Sequence, residues 1–344
     1  MEAFVTLVAT DSYCPGALVL AHRLRDLNTT RPIVCLVTPE VSKNACLQLA
    51  KVCNVVHVNT LRSNDDANLQ LLGRPELDIT FTKLHAWRLT QYTKIVFLDA
   101  DTLPLRNVDD LFDWPAFSAA PDAGWPDCFN SGVFVAEPSE SVYSELVELA
   151  SQRGSFDGGD QGLLNTYFSE WSTSPEHRLP FIYNTTPTAQ YSYAPAHVQY
   201  RNSIAISHFI GQDKPWKWQM FSDGKVFPRG NAWPGLCELV QCWWDTWKKH
   251  YGETMPHQLC SSFLDPSSCI LSSELQSKPI ELFGTTLTNA WDTKRIKDDM
   301  QVYDERRHTA PLPPLHITLS TPSWLPEPVQ VVPEPMVKYS YIKL

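Results

Sequence analysis

Between Phe4 and Val135 short apolar runs alternate with stretches whose apolar residues recur at helical spacing, and this alternation is the signature of an α/β sheet. The strand runs are residues 4–10, 33–38, 55–59, 94–99 and 132–135. Between the first two, Ala17, Leu20, Ala21, Leu24 and Leu27 share one helical face that can pack on the sheet. A second helix is expected from about Ser139, with Val142, Leu146, Leu149 and Ala150 on one side and Gly154 as its stop. Beyond it, residues 155–220 carry short polar motifs between aromatic segments, and Trp243, Trp244 and Trp247 sit on a helix spanning 236–250 that packs back on the body. The character shifts from about residue 260, and the prolines crowded into 310–336 favour an extended or disordered extension over a packed unit.

The strongest chemical signal stands at the end of the fourth strand, Ile95-Val96-Phe97-Leu98-Asp99-Ala100-Asp101. Four apolar residues make a buried strand, and period-two geometry sends Asp99 and Asp101 to one side as the chain emerges. Ligands of open α/β sheets bind in the crevice beyond the strand ends. Two hard oxygen donors there suit Mg²⁺ or Mn²⁺ bridging to a diphosphate; a pair of solvated acids opening a loop is the plain alternative. His208, after the strand-like Ile204-Ala205-Ile206, is a candidate third ligand, and an imidazole beside two carboxylates favours Mn²⁺. It opens a stretch in which Gly211 lets the backbone approach a phosphate and Lys214 supplies a point charge for it.

The formal net charge of −10 argues against a nucleic-acid or anionic-membrane partner, so a phosphate-bearing substrate must be held by local cations. Hydrophobic residues at 43% and charged residues at 19% fit a soluble globular protein, and no apolar stretch is long enough for a membrane span. Met1-Glu2-Ala3-Phe4-Val5 has neither the basic head nor the apolar core of a secretory signal. The nine cysteines include no CxxC pair and read as free thiols in a reducing compartment, so a cytoplasmic placement is expected. There the sequons Asn28-Thr29-Thr30 and Asn184-Thr185-Thr186 would stand idle.

Taken together, Asp99-Ala100-Asp101, Cys128-Phe129-Asn130-Ser131-Gly132, Asp157-Gly158-Gly159-Asp160-Gln161-Gly162 and residues 208–216 resemble the glycogenins of glycosyltransferase family 8, over roughly residues 3–218. The resemblance implies a Rossmann-like nucleotide-diphospho-sugar transferase fold of the GT-A type, with a mixed, mostly parallel sheet. It further implies a catalytic domain over 1–255 (donor half about 1–140, acceptor half about 141–255) and a Pro-rich C-terminal extension over 256–344. The implied activity is retaining transfer of glucose from UDP-glucose to a tyrosine of the enzyme itself, followed by growth of an α-1,4-glucan primer. Mn²⁺, with Mg²⁺ as substitute, is the implied cofactor, held by Asp99, Asp101 and His208. A homodimer and glycogen synthase are the implied partners.

Carried over by position, Leu7, Ala9, Thr10 and Tyr13 match the uridine edge, although animal members more often have Thr-Asn where this chain has Ala9-Thr10. Arg74 and Lys83 match the donor-binding cations, and Ala100, Ser131, Gly211 and Lys214 complete the UDP-glucose-binding set. Asp122, Asn130, Asp157, Asp160 and Gln161 match the glucose-lining positions, where amides and carboxylates suit a ring whose hydroxyls both donate and accept. Asp157 or Asp160 can instead cap a helix running to about Trp171. The catalytic set is Asp160, Lys83, Asp157 and Gln161; Asp160 is expected to serve as nucleophile, transient glucose carrier or oxocarbenium stabiliser. Tyr191 matches the self-glucosylated tyrosine, with Tyr193 in reserve and Tyr339 and Tyr341 as further acceptors. The family's C-terminal synthase-binding segment is not matched by Lys338-Tyr339-Ser340-Tyr341-Ile342-Lys343-Leu344. The competing functions are a family 8 transferase with a free acceptor and a non-catalytic scaffold for glycogen synthase.

Overall fold

The order in which the apolar runs pair decides where a site can form. In the computed structural model, which describes residues 1–63, 65–187, 194–227 and 234–260, β1 (Glu2–Val8) pairs in parallel with β2 (Ile33–Val37) on one side. On its other side it pairs in parallel with β4 (Lys94–Leu98), while β3 (Asn54–His57) extends the sheet beyond β2. β7 (Phe129–Ala136) then runs antiparallel to β4, and β6 (Ser118–Pro121) antiparallel to β7, giving the order β3-β2-β1-β4-β7-β6. The sheet is therefore mixed and mostly parallel. Chain connections leave β1 towards β2 on one flank and reach β4 on the other, so the crevice beyond the carboxyl ends of these two strands is the switch point of the sheet.

Alternation along the central strands feeds two cores. Phe4, Val8, Val96 and Leu98 belong to one apolar cluster, and Ala3, Val5, Ile95 and Phe97 to the other. The first is closed by α1 (Cys14–Asp26), whose Ala17, Leu20, Ala21 and Leu24 are buried as the helical spacing requires. It is also closed by the helix Pro234–Tyr251, which sinks Trp243, Trp244 and Trp247 to 1% exposure each. The second core lies under Pro75–Arg88 and under α4 (Glu140–Arg153), which buries Leu146 completely. Ser139 caps α4 by accepting from the Val142 N–H, and Gly154 ends it at φ 66.

Several elements differ from expectation. The helix opening at Asp160 ends at Tyr167, four residues short of Trp171, where 3-10 turns over Ser169–Thr173 take over, and Pro75–Arg88, for which the sequence suggested no element, forms a run of 3-10 turns. β5 (Thr102–Pro104) and β8 (Ile206–His208) pair antiparallel as a separate ribbon; the apolar run before His208 announces β8 two residues early, whereas β5, three residues long, is announced by none. Among the described residues no helix is long and apolar enough to cross a membrane.

The Trp-rich helix is fastened to α1 by a polar clasp. His22 stacks on His250 with ring centroids 3.7 Å apart and shares a 3.0 Å hydrogen bond with the Tyr251 hydroxyl, while Asp26 takes Lys249 at 2.7 Å and His250 at 3.1 Å. Burial, helped by His250, pushes His22 down to about 4, against the opposing pull of Asp26. Folded His22 therefore stays neutral where the unfolded chain, with an ordinary value of about 6.5, binds a proton. Its contribution to stability is full above that value and is lost as pH falls from about 6.5 towards 4. Thermal melts across this range should show His22→Asn with a shallower decline in Tm than the unmodified chain.

Candidate active site at the carboxyl ends of the parallel strands

A cleft of about 680 Å³ opens at the switch point. The end of β1 and the loop after it contribute Leu7, Ala9, Thr10 and Tyr13, and the end of β4 leads into Asp99, Ala100 and Asp101. Because β7 is antiparallel to β4, its start lies beside the end of β4; the Asp99 N–H donates to the Gly132 carbonyl at 2.8 Å, placing Asn130 and Ser131 in the same wall. Arg74 stands just before the 3-10 run and Lys83 within it, and Asp122 comes from the loop after β6. Asp157, Asp160 and Gln161 sit at the head of the following helix, and His208, Gly211 and Lys214 at and after β8. All of these candidates line the one cleft.

Asp99 and Asp101 do converge, but not by strand alternation. β4 ends at Leu98, and the Thr102 N–H closes a turn onto the Asp99 carbonyl at 2.9 Å, which carries both carboxylates out of the sheet. The β5–β8 ribbon then delivers the third group, since Thr102 lies opposite His208 and the Phe209 N–H bonds the Asp101 carbonyl at 2.9 Å. Donor atoms of Asp99, Asp101 and His208 all lie within 4.8 Å of one another, the one such trio of His, Cys, Asp or Glu among the described residues.

Two buried ammonium groups divide this trio's oxygens. Lys83 Nζ is 3.1 Å from Asp99 Oδ1, and Lys214 Nζ contacts Asp101 Oδ2. Each carboxylate turns its other oxygen to His208 Nε2, Asp101 Oδ1 at 3.3 Å and Asp99 Oδ2 at 3.8 Å. Two carboxylate oxygens and an imidazole nitrogen facing one another form a donor set that fits a hard divalent cation. The charge balance agrees. Lys83 also pairs with Asp160 Oδ2 at 2.6 Å, so three carboxylates share two ammonium groups, which leaves one negative charge for a cation to meet whenever the imidazole is a neutral ligand. Burial raises Asp99 above the ordinary carboxylate range, opposed by Lys83, whereas for Asp101 His208 and Lys214 overcome burial and hold it well below. Burial would lower Lys83, but Asp160 and Asp99 outweigh it, so the ammonium keeps its proton.

The wall that matches the sugar side is a hydrogen-bonded lattice. Ser131 Oγ donates to Asp160 Oδ2 at 2.7 Å, and the Ser131 N–H donates to Gln161 Oε1 at 3.2 Å. Asp122 Oδ2 accepts from Asn130 Nδ2 at 2.9 Å and Gln161 Nε2 at 3.1 Å. Asp157 and Asp160 part company here. Asp157 braces the turn while lining the cleft, accepting from Ser155 Oγ and the Gly159 N–H on Oδ1 and from the Gly162 N–H on Oδ2. Asp160 leaves capping aside and gives its carboxylate to Lys83 and Ser131. Tyr13 packs edge-on against Trp216 with centroids 5.7 Å apart, and burial, with Asp101 behind it, raises its phenol so that it stays protonated.

The model of Glycosyl transferase family 8 matches residues 4–116 and 113–219, more than half of the chain. The chain belongs to glycosyl transferase family 8. Its sheet order and mixed pairing are accordingly those of a GT-A nucleotide-diphospho-sugar transferase. Among curated family 8 relatives, glycogenin-1 of Mus musculus is 48% identical over 260 residues, which is 74% of this chain and 78% of that protein. Glycogenin-1 of Homo sapiens is 50% identical over 248 residues, 71% of each chain. Glycogenin-1 of Caenorhabditis elegans is 58% identical over 217 residues, 62% of this chain and 51% of that protein.

Within this family 8 site the acceptor candidates Tyr191, Tyr193, Tyr339 and Tyr341 lie outside the described residues. Three positions escaped the sequence reading. The Asp160 N–H bonds Thr80 Oγ1 at 3.2 Å; Trp216 walls the cleft; and Asn184, read only as a sequon, is 0% exposed behind His208. Gly132 is required by close approach, because a Cβ there would stand 2.2 Å from His208 Cε1 and 2.6 Å from its Nδ1. Gly132→Ala should therefore push the imidazole off the trio, lower divalent-cation affinity by at least about tenfold and cost about 1–3 kcal/mol of stability from overpacking. Calorimetric titration with MnCl₂ and a thermal melt read the two effects.

Proposed function

We propose that this chain is a retaining, glycogenin-like glucosyltransferase that moves glucose from UDP-glucose onto a tyrosine of its own kind and then lengthens an α-1,4-glucan for glycogen synthesis. The observation that carries the reading is Lys83, buried between Asp99 of the metal-type trio at 3.1 Å and Asp160 of the sugar-side wall at 2.6 Å. One cation thereby fixes the separation between the place where a diphosphate would be neutralised and the carboxylate that would meet the sugar.

Asp99, Asp101 and His208 would hold Mn²⁺, or Mg²⁺ in its place, and the bound ion supplies positive charge to the leaving diphosphate. The remaining work falls to the chain. Lys214, buried and donating to the Phe209 carbonyl at 2.8 Å, is a fixed positive charge at the same end of the cleft. Gly211, at φ 86 with nothing near its Cβ position, leaves the backbone open to phosphate oxygens, and Arg74 adds a second cationic head. Leu7, Ala9, Thr10 and Tyr13 form the edge for the uridine.

Breaking the C1–O bond passes through an oxocarbenium-like state, which needs negative charge close to the ring. Asp160 supplies it. Lys83 and Ser131 both occupy Oδ2, so Oδ1 is the atom without a partner among the described residues. Asp122, Asn130, Asp157 and Gln161 offer amide and carboxylate groups to the sugar hydroxyls and orient the ring. Tyr191 is the acceptor we assign, with Tyr193 in reserve, and a phenol's ordinary value near 10 makes it a better acceptor than a sugar hydroxyl. The reading places 1–255 as the catalytic domain and 256–344 as an extension. It also calls for a cytoplasmic homodimer that hands its primer to glycogen synthase.

Incubation of purified protein with UDP-glucose and MnCl₂, followed by intact-mass measurement, should give a ladder of hexose increments. Asp101→Ala should slow its appearance by about 100-fold or more, equivalent to about 2.7 kcal/mol of lost transition-state stabilisation. Tyr191→Phe should abolish the first increment. An unchanged mass, with UDP released and glucose transferred onto an added sugar, would favour a free acceptor instead.

A further inference from the structure

Behind His208 runs a buried line of amides whose polarity is set at its far end. The Gly132 backbone N–H donates to Asn130 Oδ1 at 3.0 Å, and a backbone N–H can only donate, so this side of the Asn130 amide is the oxygen. Its nitrogen accordingly points to Asp122 Oδ2 at 2.9 Å, an acceptor. The group of Asn184 that meets Asn130 Oδ1 at 2.8 Å must then be its NH₂, and the group that meets His208 Nδ1 at 2.9 Å must be its oxygen. An amide oxygen demands a hydrogen from the ring, so Nδ1 carries it and the neutral imidazole keeps its lone pair on Nε2. Nε2 is the nitrogen that faces Asp101 Oδ1 and Asp99 Oδ2.

We infer that Asn184 is a positioning residue for the metal site: it selects the Nδ1–H form of His208 and aims Nε2 at a divalent cation, taking its own orientation from Asn130 and thus from Asp122 on the sugar side. The inference rests on the reading of Asp99, Asp101 and His208 as the cation site. It gives Asn184 a function unrelated to its sequon, whose side chain is sealed in the folded chain. It also makes the metal end and the sugar end of the cleft share one hydrogen-bonded line, in which every donor has a fixed direction. Partners that orient a ligating histidine are worth about 10–100-fold in metal affinity.

Two substitutions separate this role from simple packing. Asn184→Leu keeps the number of side-chain heavy atoms and the branch at Cγ but removes the acceptor. Asn184→Asp keeps an acceptor for Nδ1–H and removes the donor to Asn130. Binding of Mn²⁺ alone is measured by the EPR signal of the free ion, and ligation by imidazole nitrogen through the electron spin-echo modulation of the bound ion. Melting curves of all three proteins are recorded alongside. The expectation is nitrogen modulation with unchanged affinity, within about threefold, in Asn184→Asp. In Asn184→Leu the modulation should be lost and affinity should fall by about 10–100-fold. UDP-glucose affinity should weaken in Asn184→Asp, whose break lies towards the sugar end. Equal Mn²⁺ affinity and undiminished nitrogen modulation in Asn184→Leu would overturn the role of Asn184. So would equal losses in both variants, which packing alone explains. No binding of Mn²⁺ by the unmodified protein would instead overturn the cation site beneath it.

Discussion

Charge compensation in a place with little water organises this molecule. Lys83 and Lys214 are both nearly sealed from solvent, and such groups are tolerated only when paired and hydrogen-bonded. Asp99, Asp101 and Asp160 provide the pairing, and in doing so each commits one oxygen to an ammonium group, while the other faces His208 in Asp99 and Asp101 and stays without a partner among the described residues in Asp160. The imbalance of three acids against two ammonium groups is what would make the site receptive to a divalent cation and, through it, to the diphosphate of the proposed donor. Removing Lys83 strands two carboxylates and removing Lys214 strands one, so the acids depend on the two ammonium groups.

The fold supplies the enclosure. Parallel pairing of β1 with β4 brings two loop-bearing strand ends side by side, and the antiparallel return of β7 lays Asn130, Ser131 and Gly132 along them. The β5–β8 ribbon adds His208 from far along the chain. Core residues on both faces of the sheet hold these ends still: the three tryptophans of Pro234–Tyr251 on one side, Leu146 and the 3-10 run carrying Lys83 on the other. A site built on buried strand ends and braced from both faces holds its charges in position before substrate arrives, the condition for electrostatic stabilisation without reorganisation.

Much of this could be read from the chain because the signals are local. Asp99-Ala100-Asp101 follows a buried strand directly, Gly154 follows the apolar face of α4, and the Trp-rich helix shows its own period. The convergence of the two acids was anticipated while its cause was not: a turn closed onto the Asp99 carbonyl does what alternation was expected to do. Three-residue strands such as Thr102–Pro104 leave no periodic trace, so the pairing that delivers His208 was invisible. Asn184 and Thr80 act through partners distant in sequence, and nothing in their neighbours reveals it. Asp157 and Asp160, indistinguishable as candidates for a helix cap, separate only once Gly159 and Gly162 are seen to donate to the first and Lys83 to the second.

The account stands or falls on an ion seated among Asp99 Oδ2, Asp101 Oδ1 and His208 Nε2. An anomalous difference map from crystals grown with MnCl₂ and UDP, collected at the manganese edge, tests this directly. The account predicts a single strong peak in contact with those three atoms and with the diphosphate, Lys214 remaining on the far oxygen of Asp101. A nucleotide bound with no peak there, or a peak held by other side chains, would contradict it.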